Sequence, residues 1–231
     1  MPPSSPALST NPTWDGLFPS SVVTVTQSEL ADAPALMPEE RSFLARAVPA
    51  RVLEFTIGRS CARAALARLG CSSVAIAVGD QREPIWPTGF IGSITHCQGH
   101  CAAAVARWDP RAAPAIASLG LDAEPALPLP EDVARIVCSD GEREWIEQHC
   151  QEGLPWDRLV FSAKESVFKC IFPITHHFLD FNDVELTFVG EQSFQIGAPR
   201  LPEATKNVCG SYAFREGFIL TTAIWLAPGQ D

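Results

Sequence analysis

The sequence predicts an α+β fold made of two helix-plus-strand halves that meet near residue 112. Two observations carry this. Candidate helices come in runs and candidate strands come in runs, where a doubly wound parallel sheet would alternate them. A chain of 231 residues with 46% hydrophobic and 19% charged side chains also has the composition and length to bury a substantial core.

The elements follow in chain order. Residues 1–20 are rich in Pro, Ser and Thr and read as loosely ordered. "SVVTVT" (21–26) is β-branched and reads as a strand. "PEERSFLARAV" (38–48) reads as a short helix, with Pro at its start and acids in its first turn. Pro49 interrupts, and a second helix runs from about Arg51 to Leu69, its stripe formed by Phe55, Ala62, Ala65, Leu66 and Leu69. Gly70 is its stop. "SVAIAV" (73–78), "FIGSIT" (90–95) and "CAAAVARW" (101–108) read as strands, the first two joined by a loop over 79–89. A loop then leads into the strand ending in "GLDAE" (120–124), which the Pro-rich 125–130 breaks. Helical patterns occupy 131–137, 140–151 and 157–171. Strands return at 183–189, 193–197, 207–214 and 218–226.

The net charge of -10 argues against broad attraction to nucleic acid or an anionic membrane. No apolar run reaches the ~18 residues of a membrane span. The N-terminus lacks the basic and apolar regions of a secretory signal. The eight cysteines are scattered, with no CxxC pair. A cytoplasmic protein with reduced thiols is the expectation.

Four segments carry candidate chemistry. In "GLDAEP" (120–125), strand alternation puts Asp122 and Glu124 on one face and Ala123 on the other. Two adjacent carboxylates repel unless a cation lies between them, and oxygen ligands of this kind suit Mg²⁺. A solvated strand end is the plain alternative. In "FSAKESVFK" (161–169), Ser162 and Glu165 match a capping box, while Glu165 and Lys169 share a helix face. The chain has only three lysines, and two lie here. Lysine, unlike arginine, can exchange a proton when its pKa is lowered. "THCQGHC" (95–101) is too compact for its four donors to surround one zinc ion. His96 there is either a buried structural histidine or a phosphate ligand, and spacing does not decide which. The helix of residues 51–69 carries Arg51, Arg59, Arg63 and Arg68, either a solvated face or a set of phosphate forks.

Taken together, "EFTIGRSCARAAL" (54–66), "REPIWPTGFIGSITHC" (82–97), "GLDAEP" (120–125) and "FSAKESVFKCIFP" (161–173) resemble the 4′-phosphopantetheinyl transferase family. The nearest pattern is the longer, monomeric, two-halved Sfp-like group, and the resemblance spans about residues 39 to 225. It implies two similar α+β halves, 1–112 and 113–231, related by pseudo-twofold symmetry with the active site between them. It implies transfer of phosphopantetheine from coenzyme A (CoA) to a serine of an apo acyl or peptidyl carrier protein, Mg²⁺-dependent with Mn²⁺ possible, releasing adenosine 3′,5′-bisphosphate. By position, Asp122, Glu124 and Glu165 would hold the metal, Glu165 would be the general base, and Lys169 would contact the pyrophosphate and assist the leaving phosphate. Lys164 would add a phosphate contact. Arg51, Arg59, Thr95 and His96 would surround the CoA 3′-phosphate, and Arg82, Glu83 and Pro84 would border the adenine.

Two departures stand out. Ala123 occupies a position where some relatives place a third acidic ligand, and Val78 stands just before the adenine loop, where some carry lysine. The acidic charge of the chain also makes long-range steering of an acidic carrier weak, so docking is expected on a local apolar patch, to which residues around 170–181 either contribute or serve as plain core packing. A metal-dependent CoA phosphohydrolase and a non-catalytic CoA-binding module are the competing functions.

Overall fold

The structure is a computed structural model, which describes residues 12–27, 35–44, 47–71, 74–112, 114–149, 153–198 and 203–227. It is α+β, with two antiparallel sheets each covered by a long helix. The smaller sheet has the order β1-β5-β4, from β1 (Val22–Gln27), β4 (Phe90–Cys97) and β5 (His100–Arg107). The larger has the order β6-β10-β9-β8-β7. Its strands are β6 (Ile116–Pro125), β7 (Glu185–Val189), β8 (Ser193–Gly197), β9 (Val208–Arg215) and β10 (Phe218–Leu226). A short ladder joins β2 (Ala77–Val78) to β3 (Pro84–Ile85).

Helix α2 (Pro49–Arg68) lies on the small sheet, and α5 (Trp156–Thr175) lies on β6 and β10. The shorter helices are α1 (Pro38–Arg41), α3 (Glu131–Val137) and α4 (Asp140–His149). Pro49 opens α2 instead of separating it from the preceding helix, because a first-turn position needs no backbone N–H. Gly70, at φ 80°, closes α2 in a Schellman motif: Cys71 N–H reaches Leu66 O at 2.9 Å and Gly70 N–H reaches Ala67 O at 3.0 Å.

β5 explains its own composition. Cys101, Ala103 and Val105 face the core under α2, while Ala102, Ala104 and Ala106 face a second core with Leu119, Leu121 and Leu220. A strand buried on both faces can be apolar throughout, and small side chains let both layers close on it. The two sheets meet edge to edge at β4 and β6 through side chains. Ser93 Oγ accepts from Leu121 N–H at 3.3 Å, and Thr95 Oγ1 accepts from Ala123 N–H at 3.2 Å. These hydroxyls satisfy buried donors that would otherwise be orphaned.

Three expectations are corrected. Residues 12–20 are not loose: Trp14 and Leu17 are buried, Thr222 Oγ1 donates to Leu17 O, and Arg215 donates to the carbonyls of Thr13 and Asp15. The part of that stretch before residue 12 lies outside the described residues. The helix expected over 38–48 stops at Arg41 and tightens into a 3-10 turn, Ser42–Leu44. Of the strand expected over 73–78, residue 73 lies outside the described residues, and over 74–78 only Ala77–Val78 is strand, because side chains take the neighbouring backbone groups. Glu40 accepts from Ile76 N–H at 3.1 Å, and Arg59 donates to Ile76 O at 3.0 Å.

Candidate active site

A cavity of about 380 Å³ opens where α2, β4, β6 and α5 converge. Among its lining residues are Arg51 and Arg59 from α2, Thr95 and His96 from β4, Asp122 and Glu124 from β6, and Glu165 and Lys169 from α5. Arg82 and Glu83 reach it from the turn between β2 and β3, and Pro84 from the start of β3. Eleven of the twelve residues singled out from the sequence therefore face one space.

Asp122 is the most tightly held. Thr95 Oγ1 donates to its Oδ1 at 3.0 Å, Ser162 Oγ donates to Oδ2 at 2.8 Å, and Lys169 Nζ lies 2.5 Å from Oδ1. Glu124, two residues on, points to the same cavity but pairs with Arg158, whose Nη1 is 2.9 Å from Oε2. Ala123 is fully buried on the other face, as alternation requires. Burial and the Asp122 charge raise the pKa of both Glu124 and Glu165, and Lys169 opposes this at each. Burial acts to lower the Lys169 pKa, but Asp122 and Glu165 outweigh it, so the ammonium stays charged. As the side chains stand, no three Asp, Glu, His or Cys groups among the described residues are close enough to hold a metal ion.

The approach of α5 to β6 depends on Gly120. A Cβ there would lie 1.9 Å from Ser166 O, so any side chain would push the helix away. This contact brings Glu165 and Lys169 over Asp122.

On the α2 side, Arg59 is buried, donates to Ile76 O and Ala77 O, and stacks 4.4 Å over the Phe55 ring. Burial lowers its pKa to about 10, so it remains a cation at neutral pH. Arg51 Nη1 lies 2.5 Å from His96 Nε2, and Glu54 lies near both. Arg82 adopts φ 72°, an uncommon conformation for a residue with a side chain.

Residues 39–106 match the 4′-phosphopantetheinyl transferase N-terminal domain, and residues 118–223 match the 4′-phosphopantetheinyl transferase superfamily. The chain is 50% identical over 221 residues to 4′-phosphopantetheinyl transferase Svp of Streptomyces mobaraensis, covering 88% of this chain and 86% of that one. It is 42% identical to 4′-phosphopantetheinyl transferase PptT of Mycobacterium tuberculosis, covering 68% of each, and 40% identical to 4′-phosphopantetheinyl transferase Npt of Nocardia iowensis, covering 74% and 75%. The chain belongs to the 4′-phosphopantetheinyl transferase family.

In this transferase, Lys164 is not where a phosphate contact would be. Its Nζ lies 2.7 Å from Glu142 Oε2 and donates to Val137 O and Phe181 O, each at 2.8 Å. The ammonium is buried away from the cavity because Lys164 and Lys169 lie on different faces of α5. Ser162 is not a cap either. The helix begins at Trp156, so Ser162 sits a full turn or more inside it and its hydroxyl anchors Asp122. The apolar patch is only partly exposed: Cys170, Ile171 and Phe172 are core, whereas Ile174 and Phe178 are exposed.

The cavity and the layer behind it also contain residues without a sequence signal for the site. Arg158 holds Glu124, Glu54 faces His96 and Arg51, and Thr221 Oγ1 lies 2.9 Å from Ser162 Oγ behind Asp122. Only Ser162 carried a local signal, and it pointed to capping. Arg158 and Thr221 are 34 or more residues from their partners and had none.

Proposed function

We propose that this transferase moves 4′-phosphopantetheine from CoA to a serine hydroxyl of an apo acyl or peptidyl carrier protein and releases adenosine 3′,5′-bisphosphate. The observation that carries this reading is the shared cavity, in which the cations Arg51, Arg59 and Lys169 and the carboxylates Asp122, Glu124 and Glu165 face one another. The names of the relatives agree with it.

The donor set fits a hard divalent cation. Three carboxylates, two from β6 and one from α5, line the cavity, and Glu124 and Glu165 have pKa values raised by burial and by a neighbouring negative charge. Such a cluster gains from a cation with oxygen preference. Asp122, Glu124 and Glu165 would hold Mg²⁺ or Mn²⁺, once Glu124 turns from Arg158 and Lys169 from Asp122. The bound ion would supply charge neutralisation at the CoA pyrophosphate.

The chain's own groups account for the rest. Glu165, its basicity raised by burial, accepts the serine proton directly or through water. The serine oxygen forms its bond to the phosphorus that carries pantetheine, and the bridging P–O bond breaks with its electron pair leaving on the nucleotide phosphate. Lys169, freed from Asp122, neutralises or protonates that leaving oxygen. Arg51, Arg59, Thr95 and His96 bind the 3′-phosphate, and Arg82, Glu83 and Pro84 border the adenine. In this reading the enzyme acts as a cytoplasmic monomer on carriers of fatty-acid, polyketide or nonribosomal peptide synthesis. Its halves, 1–112 and 113–231, enclose the active site. No helix among the described residues is long and apolar enough to cross a membrane.

The test is intact-protein mass spectrometry of an apo carrier incubated with the enzyme, CoA and Mg²⁺. A gain of one phosphopantetheine, abolished by EDTA and by Glu165→Gln, is expected. Free phosphopantetheine with an unmodified carrier would identify a hydrolase instead.

A further inference from the structure

We propose that Glu54 makes His96 a proton-accepting phosphate ligand, so that a phosphomonoester enters this cavity together with one proton. The inference rests on the reading that CoA binds here with its 3′-phosphate toward Arg51 and His96.

The geometry assigns the resting state of the ring. Arg51 Nη1 stands 2.5 Å from His96 Nε2, and a guanidinium can only donate. Nε2 is therefore the acceptor, the ring is neutral, and its proton sits on Nδ1. Glu54 Oε2 lies 3.6 Å from Nδ1 and 3.5 Å from Arg51 Nη1. In this state Nε2 offers no donor to an anion. The charged groups acting on the imidazole are Arg51 and Glu54 from α2, Lys169 from α5 and Asp122 from β6. Burial, Arg51 and Lys169 lower its pKa, while Glu54 and Asp122 raise it.

A phosphate dianion presents only acceptors, and the Arg51 fork is a natural partner for it. When Nη1 turns to a phosphate oxygen, Nε2 loses its donor. A proton taken from the buffer converts Nε2 into a second donor to the phosphate. The imidazolium then has the dianion at Nε2 and the Glu54 carboxylate facing Nδ1. Without Glu54, the cations Arg51 and Lys169 would keep the ring neutral. An ordinary helix-surface pair between Arg51 and Glu54 would add little to stability and would not couple to protons.

The test is isothermal titration calorimetry of CoA and 3′-dephospho-CoA, with EDTA, at pH 8 in buffers of different ionisation enthalpy. At that pH the 3′-phosphate is already doubly ionised, since its second pKa is about 6. The wild-type protein is expected to take up roughly 0.5 to 1 proton more with CoA than with dephospho-CoA. His96→Asn should abolish this excess. Glu54→Gln should cut it below roughly 0.2 proton and weaken CoA about 5- to 10-fold, leaving dephospho-CoA affinity unchanged. Equal uptake for the two ligands in the wild type, or an undiminished excess in Glu54→Gln, overturns the proposal and leaves the CoA reading intact. No CoA binding by folded wild-type protein overturns both. Should Glu54→Gln lose its native circular dichroism spectrum, Glu54→Asp takes its place, with an excess between the wild-type and His96→Asn values expected and a value equal to wild type counting against the proposal.

Discussion

Lys169 reaches from α5 to lay its ammonium 2.5 Å from Oδ1 of Asp122 on β6, and this pair ties the helix to the acidic strand. Removing the ammonium leaves a buried carboxylate without its cation and, under the proposed mechanism, takes away the charge that meets the leaving phosphate. Lys169→Met should therefore lower kcat by about 10²- to 10³-fold. Lys169→Arg should restore little, because a planar fork does not replace a compact point charge at this depth. Steady-state kinetics with an apo carrier checks both.

The Gly120–Ser166 contact predicts a coupled loss. Gly120→Ala should destabilise the fold by about 1 to 3 kcal/mol, as overpacking does. It should also lower kcat by about 10-fold or more in the protein that stays folded, because Glu165 and Lys169 move off Asp122. Urea denaturation and kinetics on the same sample give the two numbers. Loss of stability with unchanged kcat would mean that α5 does not need this approach.

Lys164 predicts the opposite of a substrate ligand. Lys164→Met strands the buried Glu142 carboxylate and should cost about 3 to 5 kcal/mol. Adding Glu142→Gln should recover more than half of that loss. In the double variant, CoA affinity should stay within about twofold of wild type, since neither residue lines the cavity. Denaturation curves and CoA titration separate a structural role from a phosphate contact.

His100 sets an acid limit on stability. It is buried between Trp14 and Phe218, with no partner for either ring nitrogen among the described residues, and burial lowers its pKa to about 4. The unfolded chain binds a proton near pH 6.5, the folded chain only near 4. Stability from the neutral ring is therefore full above pH 6.5 and falls as pH drops toward 4, by about 3 kcal/mol in all. His100→Phe should flatten that part of the stability–pH curve. A curve unchanged by the substitution would show that His100 does not control it.

Much of the architecture was written in local pattern. The β-branched run of β1, the apolar stripe and closing Gly70 of α2, and the alternation around Ala123 each depend on neighbours within a few residues. Local pattern also misleads at 73–78: the composition is β-like, but Glu40 and Arg59, remote in sequence, take the backbone hydrogen bonds of Ile76. The order of motifs likewise pointed to the family, and eleven of twelve site residues face one cavity.

The chain by itself determined which chemical groups are available and the periodicity that puts Asp122 beside Glu124 and Glu165 beside Lys169. Tertiary structure alone decided which of them meet. Ser162 anchors Asp122 and is itself met by Thr221, Arg158 holds Glu124, and Lys164 turns to Glu142, across separations of 22 to 59 residues. The physical reason is that local spacing fixes the face of a helix or strand on which a side chain stands, whereas the partner on the opposite wall is chosen by how closely two elements pack. Here that distance is set by the missing side chain at Gly120.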